Sequence, residues 1–360
     1  MENINSKNSI TNGDMFTVMP DRKANVNIIL ALIVCSFMAA YYNGIRAFYL
    51  IVLSCASAIA LEFVVRRLFG VKRQSGDWSA AITGLMIPLL MPVAVPFYVI
   101  FIAQIIAIVV AKFPFGGYGN NVFNPTAVGV AFACLSWPQH LLSYKEPFAD
   151  LSSSVASAGI SPASTLLAGG VPHIAFMDAL TGNFSGPMGT TAILVICACA
   201  IYLIASKTIS WVTPFFGLST IIVISAIFPR LQGSVLSSVA YELICETLLF
   251  GFIFMANDPI TSPKTNWGRA YYGVLLGLLI MFCRHFGNIE LSFVFSLIIA
   301  NSLSVSCDTF GKKTKQVLKP KYKKLSKQFS EFIVVKLHDK FDFVSDKAQD
   351  NSAKRGKKDA

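Results

Sequence analysis

Residues 115–132 read FGGYGNNVFNPTAVGVAF, a glycine-rich polar stretch that leads directly into a short apolar run. Glycine lets a backbone approach a ligand closely, and Asn124-Pro125 ends any preceding helix and exposes backbone donors and acceptors. The following run, near 126–138, is too short for a lipid-facing span. Such segments are tolerated at membrane depth only where protein or a cavity satisfies the backbone. The stretch therefore indicates a site inside a helical membrane protein, with an ordinary loop as the alternative.

The composition of the whole chain also favours a membrane protein. Of its 360 residues, 54% are apolar and only 14% are charged, whereas soluble domains carry roughly 25% charged residues. The cysteines lie mostly in apolar runs and form no C-x-x-C motif. They therefore fit buried, inert thiols better than a metal or iron–sulfur site within this chain.

About ten apolar runs approach the roughly 20 residues that a membrane-spanning helix needs. They lie near 25–43, 47–65, 79–95, 97–113, 126–138, 189–206, 211–228, 235–256, 270–287 and 289–306. We predict an all-α integral membrane protein with about ten transmembrane helices. Five runs on each side of a polar gap suggest two inverted halves, about 25–138 and 189–306.

The loop charges predict the orientation of these helices. Most basic loop residues fall on the side that the two termini share, which by the positive-inside rule is the cytoplasm. We expect a cytoplasmic segment at 1–24, a membrane domain at 25–308 and a basic cytoplasmic tail at 309–360. The loop at 139–188 then faces outward.

The formal net charge of +11 is concentrated in the part of the tail from residue 312 onward, which begins KKTKQVLKPKYKKLSKQF. This segment either contacts anionic membrane lipids, at about 1 kcal/mol per Lys or Arg, or is a solvated end. Nucleic-acid binding is disfavoured, because the tail is tethered to a membrane and has few interleaved aromatic residues.

A second glycine-rich stretch, LTGNFSGPMGTTAIL at 180–194, precedes another long apolar run. Gly186 and Gly189 lead into Thr191, where a helix is expected to begin. A helix N-terminus suits phosphate or another anion. The spacing favours the simpler interpretation, in which a threonine caps the helix after a flexible loop.

A third stretch, FMANDPITSPKTNWGR at 254–269, ends an apolar run with Asp258 followed by Thr261 and Ser262. Asp-Pro and Ser-Pro are turn-forming pairs, so a helix stop is the simple interpretation. An aspartate at the edge of an apolar span can also belong to an ion or proton path.

Ionisable residues in or beside the apolar runs need partners. They are Glu62, Glu242, Glu246, Arg284, His285 and Glu290. Glu62 precedes Arg66 by four residues, a spacing that predicts an ion pair on one helix face. Glu242 and Glu246 have the same spacing. Buried together, they would have to bind cations, share a proton or find a basic partner, unless Glu242 lies at the membrane surface.

Taken together, the three stretches resemble one family, the NqrB/RnfD family. Its members are the RnfD subunits of the Rnf ion-translocating ferredoxin–NAD oxidoreductase complex and the NqrB subunits of the sodium-translocating NADH–quinone reductase. GGYGNNVFNPTAVG resembles the family's Gly-rich F-N-P-A-x-x-G stretch. FMANDPITSPKTNWGR resembles M-A-T-D-P-V-T-S-P-x-T-x-x-G-R, and GNFSGPMGTTAIL resembles G-N-x-x-G-S-x-G-E-T-S-x-L. The resemblance covers roughly residues 20–308.

This resemblance implies a fold similar to urea channels and a place in a six-subunit complex of a bacterial cytoplasmic (inner) membrane. The complex moves Na⁺ or H⁺. Such subunits relay electrons through FMN, which a flavin transferase attaches by a phosphoester bond to a threonine in a D-G-x-S-G-A-T stretch. Riboflavin elsewhere in the fold remains open, as do the transported ion and the electron donor and acceptor.

The stretch GISPASTL at 159–166 matches that attachment motif in part. Ser164 stands where the family has the flavin-bearing threonine, Ala158 replaces the acidic residue, and Pro162 replaces a glycine. The resemblance implies a flavin site formed by the following residues: Ser161, Ser164, Thr165, Asn124, Gly186, Gly189, Thr191, Asp258, Thr261 and Ser262. Two alternatives are a small-solute channel on the same fold and a flavin-free scaffold subunit of the complex.

Overall fold

The computed structural model describes residues 22–71, 77–148, 158–159, 161–172, 174–231, 234–244, 247–287 and 289–317. Apart from one short pair of strands, the regular structure of these residues is helical. Glu246, most of the predicted 1–24 segment and the tail beyond residue 317 lie outside the described residues.

The part of the chain before residue 144 forms five helices. They are α1 (Arg22–Phe69), α2 (Ser79–Leu89), α3 (Phe97–Ile105, continued by the π-helix Ile106–Val110), α4 (Pro125–Ser136) and α5 (Pro138–Leu141), with a 3-10 turn at Phe113–Phe115. The following loop region holds strands β1 (Tyr144–Lys145) and β2 (Ala158–Gly159) and the short helices α6 (Pro162–Leu167) and α7 (Phe176–Thr181).

The remaining described chain is again apolar and helical. Its elements are α8 (Ile193–Ala205), α9 (Val212–Ile227), α10 (Val235–Ile244), α11 (Leu248–Phe250, continued by the π-helix Gly251–Met255), α12 (Asn266–Phe286), α13 (Ser292–Ser302) and α14 (Ser304–Val317). Each apolar run named above overlaps a helix, and the runs 25–43 and 47–65 are both parts of α1.

Several of these helices have the length and composition of membrane helices. Among the described residues, Arg22–Phe69 and Phe97–Phe115 are long and apolar enough to cross a membrane, and the number rises to four if each of two bent helix pairs is one span. Large apolar side chains such as Phe37, Phe63 and Phe286 are exposed. A multi-helix membrane protein is therefore the fold class.

Helix α1 is two helices joined at Gly44, which has φ 73° and ψ −169°. Glycine adopts a positive φ without steric cost. An unbroken helix of 48 residues would be about 72 Å long, more than twice the roughly 30 Å hydrocarbon core of a bilayer. The break at Gly44 lets each arm match one bilayer, as the separate runs 25–43 and 47–65 predict.

Other helices stop or bend where the sequence predicts interruptions. Pro88 lies in the last turn of α2, and the chain is not helical again until Phe97. Helix α10 and the Leu248–Met255 segment form a bent pair with an angle of 60°. These breaks leave backbone N–H and C=O groups without intrahelical partners inside the protein, where other segments hydrogen-bond to them.

Close helix packing relies on small residues. A Cβ at Gly273 of α12 would lie 2.6 Å from the Thr213 carbonyl oxygen of α9. A Cβ at Gly277 would lie 2.8 Å from the Gly217 carbonyl oxygen. Small residues let helix backbones approach closely in membranes. One large apolar core joins both parts of the chain, with α1 packed on α8 and α4 packed on α13.

Candidate functional site

Residues 161–165 of the GISPASTL stretch form the N-cap and first turn of α6, and we call them the Ser161 turn. Ile160 lies outside the described residues. Ser161 is the N-cap, and its hydroxyl accepts a hydrogen bond from the Ser164 amide at 3.0 Å. Pro162 occupies the first helical position, where its fixed φ and missing N–H are favourable. The replacement of the family's glycine by Pro162 is therefore compatible with a well-formed turn.

Two hydroxyl groups lie beside each other in this turn. Ser164 Oγ donates to the Ser161 carbonyl oxygen at 2.9 Å, and Thr165 Oγ1 donates to the same oxygen at 3.0 Å. Both side chains are half-buried. The turn thus keeps a hydroxyl at the position that matches the flavin-bearing threonine, and a second one next to it.

A carboxylate from a distant part of the chain contacts the Ser161 turn. Ser161 Oγ donates to Glu290 Oε1, and the same Ser161 oxygen lies 3.1 Å from Ser164 Oγ. Glu290 lies between α12 and α13 and is 9% exposed. In the sequence, Glu290 is one of several ionisable residues in or beside apolar runs, and the predicted flavin site does not include it.

The buried side of α6 packs against two segments of the chain that contain Arg230 and Glu242. Ala163 and Leu166 form a small apolar cluster with Leu231, and Tyr241 packs against it. Leu231 follows Arg230 directly, and Tyr241 precedes Glu242. The Ser161 turn is therefore held in place by two segments that each carry a charged residue.

Glu242 is buried between two arginines. Arg284 Nη1 donates to Glu242 Oε2 at 2.6 Å and to the Glu242 carbonyl oxygen at 2.9 Å, while Arg230 Nε donates to the other carboxylate oxygen. Arg284 Nε also donates to Ser292 Oγ at 3.2 Å. Of the explanations that the sequence allowed for Glu242, the basic partner is the one observed.

The glycine-rich stretch before α8 contacts the broken end of α2. The Gly189 amide donates to the Leu89 carbonyl oxygen at 2.8 Å, and the Met188 amide donates to the Met91 carbonyl oxygen at 3.0 Å. A Cβ on Gly189 would lie 2.5 Å from Leu89 Cδ2. Gly189 is therefore required for close packing here.

The predicted threonine cap of α8 is wrong. The helix begins at Ile193 with Ala192 as its N-cap, and no side chain caps it. Thr191 is buried, its Cγ2 would lie 2.9 Å from a Cβ on Gly186, and its carbonyl oxygen accepts from the Ile193 amide. Close packing of the preceding turn, rather than capping, accounts for these residues.

Asn124 joins α4 to the third stretch. Its side-chain oxygen accepts from the Ala127 amide at 3.2 Å, which makes it the N-cap of α4. Its side-chain nitrogen donates to the Met255 carbonyl oxygen at 3.3 Å, at the end of the π-helix. One asparagine thus satisfies backbone groups at two helix ends.

Asp258 organises the turn that follows Met255. Its carboxylate accepts from the Ile260 amide at 3.3 Å and from Thr261 Oγ1 at 3.1 Å, and its carbonyl oxygen accepts from the Ser262 amide. Burial raises the pKa of the Asp258 carboxyl, and these hydrogen bonds and Lys264 offset the rise only in part. We call this group, with Asn124, the Asn124–Asp258 cluster.

A small cavity of about 50 Å³ lies at the Asn124–Asp258 cluster, lined by both apolar and polar side chains. Asn25, Lys112 and Asn121 also line it. Among the described residues, Asn121 Oδ1 is buried without a hydrogen-bond partner. The cavity has the size of one or two water molecules, so it accommodates a polar group and not a flavin ring.

The predicted Glu62–Arg66 pair is confirmed and belongs to a larger network. Arg66 Nε donates to Glu62 Oε1 at 2.8 Å, Lys112 Nζ donates to Glu62 Oε2 at 2.6 Å, and Arg66 also contacts Asp77. Burial opposes ionisation of Asp77, but Lys112, Ser79 and Arg66 outweigh it and keep its pKa below the usual value.

The described contacts divide the predicted site residues among three places. None of the hydrogen bonds described for Gly186, Gly189 and Thr191 reaches the Ser161 turn. None of the hydrogen bonds described for the Ser161 turn reaches the Asn124–Asp258 cluster either.

Known proteins similar to this chain belong to ion-translocating complexes. The D subunit of the Na⁺-translocating ferredoxin:NAD⁺ oxidoreductase complex of Acetobacterium woodii is 30% identical over 79% of this chain and 87% of its own length. The D subunit of the proton-translocating complex of Clostridium ljungdahlii is 26% identical over 80% of this chain and 89% of its own length. The D subunit of the ion-translocating oxidoreductase complex of Methanosarcina acetivorans is 29% identical over 77% of this chain and 85% of its own length.

The similarity covers nearly all of the helical part that the structure describes. A family model described as the NQR2, RnfD, RnfE family matches residues 18–316. That range includes all three glycine- and proline-rich stretches, the Ser161 turn and Glu290. The family resemblance inferred from those motifs is thereby confirmed, and this chain belongs to the NQR2, RnfD, RnfE family.

Proposed function

We propose that this chain is the membrane subunit of an Rnf-type ion-translocating electron transport complex and that it relays electrons through FMN. The match to the D subunits of such complexes over about four-fifths of the chain supports the assignment to the complex. The observation that carries the flavin assignment is the Ser164 hydroxyl, half-buried in the first turn of α6 at the motif's acceptor position.

Ser164 fits the attachment of FMN in its chemistry and its surroundings. A serine hydroxyl forms the same phosphoester as a threonine hydroxyl, and the Ser161 turn holds it by short hydrogen bonds. Bound there, FMN would supply the electron-transfer chemistry, and the protein would tune it through burial and hydrogen bonds. Thr165 is the neighbouring alternative acceptor.

The membrane arrangement is part of the same proposal. We propose ten spans in two inverted halves, as in urea channels, with both termini cytoplasmic and the Ser161 turn facing outward. The positive-inside bias of the loops and the breaks at Gly44 and between α10 and α11 support it. On that outer side a flavin transferase would reach Ser164, and five other subunits would complete the complex in the bacterial inner membrane.

The Asn124–Asp258 cluster would then be a separate ligand site within the subunit. Its Asn121 oxygen, which has no partner among the described residues, and its half-buried Asp258 carboxyl offer hydrogen bonds to a polar ligand group. Riboflavin, the second flavin considered above, would have to enter with its polar edge at this cavity and displace the surrounding side chains, because the cavity holds only about 50 Å³.

Co-expression with a flavin transferase tests the proposed flavin site. The purified complex should show a flavin absorbance spectrum, and the protease fragment containing residues 146–207 should carry one FMN. A colourless complex that assembles normally would favour the scaffold alternative. A colourless chain that conducts a neutral solute would favour the channel.

A further inference from the structure

We propose that Glu290 supplies, from a distant part of the chain, the carboxylate that the attachment motif lacks at Ala158. Glu290 then acts through Ser161 as a positioning residue for the Ser164 hydroxyl. The proposal rests on the proposed function, namely that Ser164 accepts FMN. It adds a residue that the attachment motif does not contain.

The contacts form a continuous chain of oxygen atoms. Ser161 Oγ donates to Glu290 Oε1 and lies 3.1 Å from Ser164 Oγ. At the same time Ser161 Oγ accepts from the Ser164 amide at 3.0 Å, which fixes its position. A carboxylate, a fixed hydroxyl and the acceptor hydroxyl are therefore linked in that order.

The position of Glu290 depends on the fold and not on the local sequence. It lies in the short connection between α12 and α13, 129 residues from Ser161 along the chain. Helix α6 packs against Leu231 and Tyr241, which are next to Arg230 and Glu242 in sequence. Glu242 pairs with Arg284 of α12, close to the connection that carries Glu290.

Phosphoester formation at Ser164 releases one proton, and this chain of oxygens can accept it. Ser164 Oγ bonds to the flavin-side phosphorus of a flavin dinucleotide presented by the transferase. The pyrophosphate P–O bond breaks, and a nucleoside monophosphate leaves. The Ser164 proton passes to Ser161 Oγ, and the Ser161 proton passes to Glu290. No electrons are transferred, and Glu290 returns its proton to water afterwards.

The first step requires only rotation of one hydroxyl hydrogen. Ser164 now donates to the Ser161 carbonyl oxygen at 2.9 Å. Turning about its C–O bond points the same hydrogen at Ser161 Oγ, since hydroxyl hydrogens rotate freely to suit their partners. A positioned proton acceptor typically contributes about 10²–10⁴-fold to a rate.

The test measures how fast FMN is attached to Glu290→Gln, with Glu146→Gln as the matched control. Glutamine keeps the side-chain oxygen that accepts from Ser161, so the structural contact survives while the proton acceptor is lost. Glu146 is an exposed glutamate of the same loop region. Flavin fluorescence and the mass of the 146–207 fragment are followed over time, and size-exclusion profiles and melting curves report folding.

We expect Glu290→Gln to slow attachment about 100-fold, Glu146→Gln to leave it unchanged, and Ala158→Asp to restore it in the Glu290→Gln background. Ser161→Asn, which keeps a capping side chain but has no hydroxyl to relay the proton, should also slow attachment. Normal attachment to a folded Glu290→Gln protein, or failure of Ala158→Asp to restore it, would overturn the role of Glu290. Absence of FMN from the wild-type chain would overturn the proposed function itself.

Discussion

The Gly189 amide donates a hydrogen bond to the Leu89 carbonyl oxygen at 2.8 Å, across 100 residues of sequence. Leu89 ends the short helix α2, and Gly189 precedes α8. Each interruption leaves backbone groups without a partner in its own helix. Here the backbone of one interrupted segment hydrogen-bonds to the backbone of the other. This mutual pairing explains how two interrupted segments can lie inside a membrane protein.

Gly189→Ala should destabilise the protein by about 1–3 kcal/mol, the usual cost of overpacking a filled core. The new Cβ would lie 2.5 Å from Leu89 Cδ2 and 2.6 Å from Leu89 Cβ, so the two segments must separate. Melting of the purified protein in detergent measures the effect. Ala198→Val, on the exposed face of α8, is the control. Equal melting of the two variants would show that the contact is looser than described.

Glu242→Gln should be more damaging than any exposed Glu→Gln change. It leaves the buried guanidinium groups of Arg230 and Arg284 without their shared negative charge. Breaking a buried pair by removing one partner costs about 3–5 kcal/mol. Expression level and melting temperature would be compared with those of Glu146→Gln. Wild-type behaviour of Glu242→Gln would mean that another group neutralises the arginines.

Asp258 should make stability depend on pH. Its pKa is raised above the ordinary 3.8 by burial, so the folded state holds the proton more tightly than the unfolded state. The resulting stabilisation is fully present below the unfolded pKa and is lost as pH rises through the folded pKa. Asp258→Asn should therefore gain stability relative to wild type as pH is raised from about 4 to about 8. A difference that stays constant across that range would contradict the buried position of this carboxyl.

The helices were predictable because their signals are local. Glycine and proline mark the breaks at Gly44 and Pro88, and i, i+4 spacing gave the Glu62–Arg66 pair. Helix ends were less predictable. Threonine is common at helix N-caps, which is why the sequence predicts a cap at Thr191. In the structure Thr191 packs in the preceding turn, and Ala192 is the N-cap.

The candidate site was only partly predictable because its decisive contacts join distant parts of the chain. Ser161 and Ser164 come from one motif, whereas Glu290 reaches them from the connection before α13. Nothing in the local sequence at Glu290 specifies that contact. Residues that the family motifs group together are divided here among the Ser161 turn, the glycine-rich stretch before α8 and the Asn124–Asp258 cluster.

The central claim, that Ser164 carries the flavin, is tested most directly by the mass of the 146–207 fragment. The complex would be purified after co-expression with a flavin transferase, with Ser164→Ala and Thr165→Ala prepared in parallel. We predict one FMN on the wild-type fragment and on Thr165→Ala, and none on Ser164→Ala. An unmodified wild-type fragment from an assembled complex, or FMN retained on Ser164→Ala, would contradict the claim.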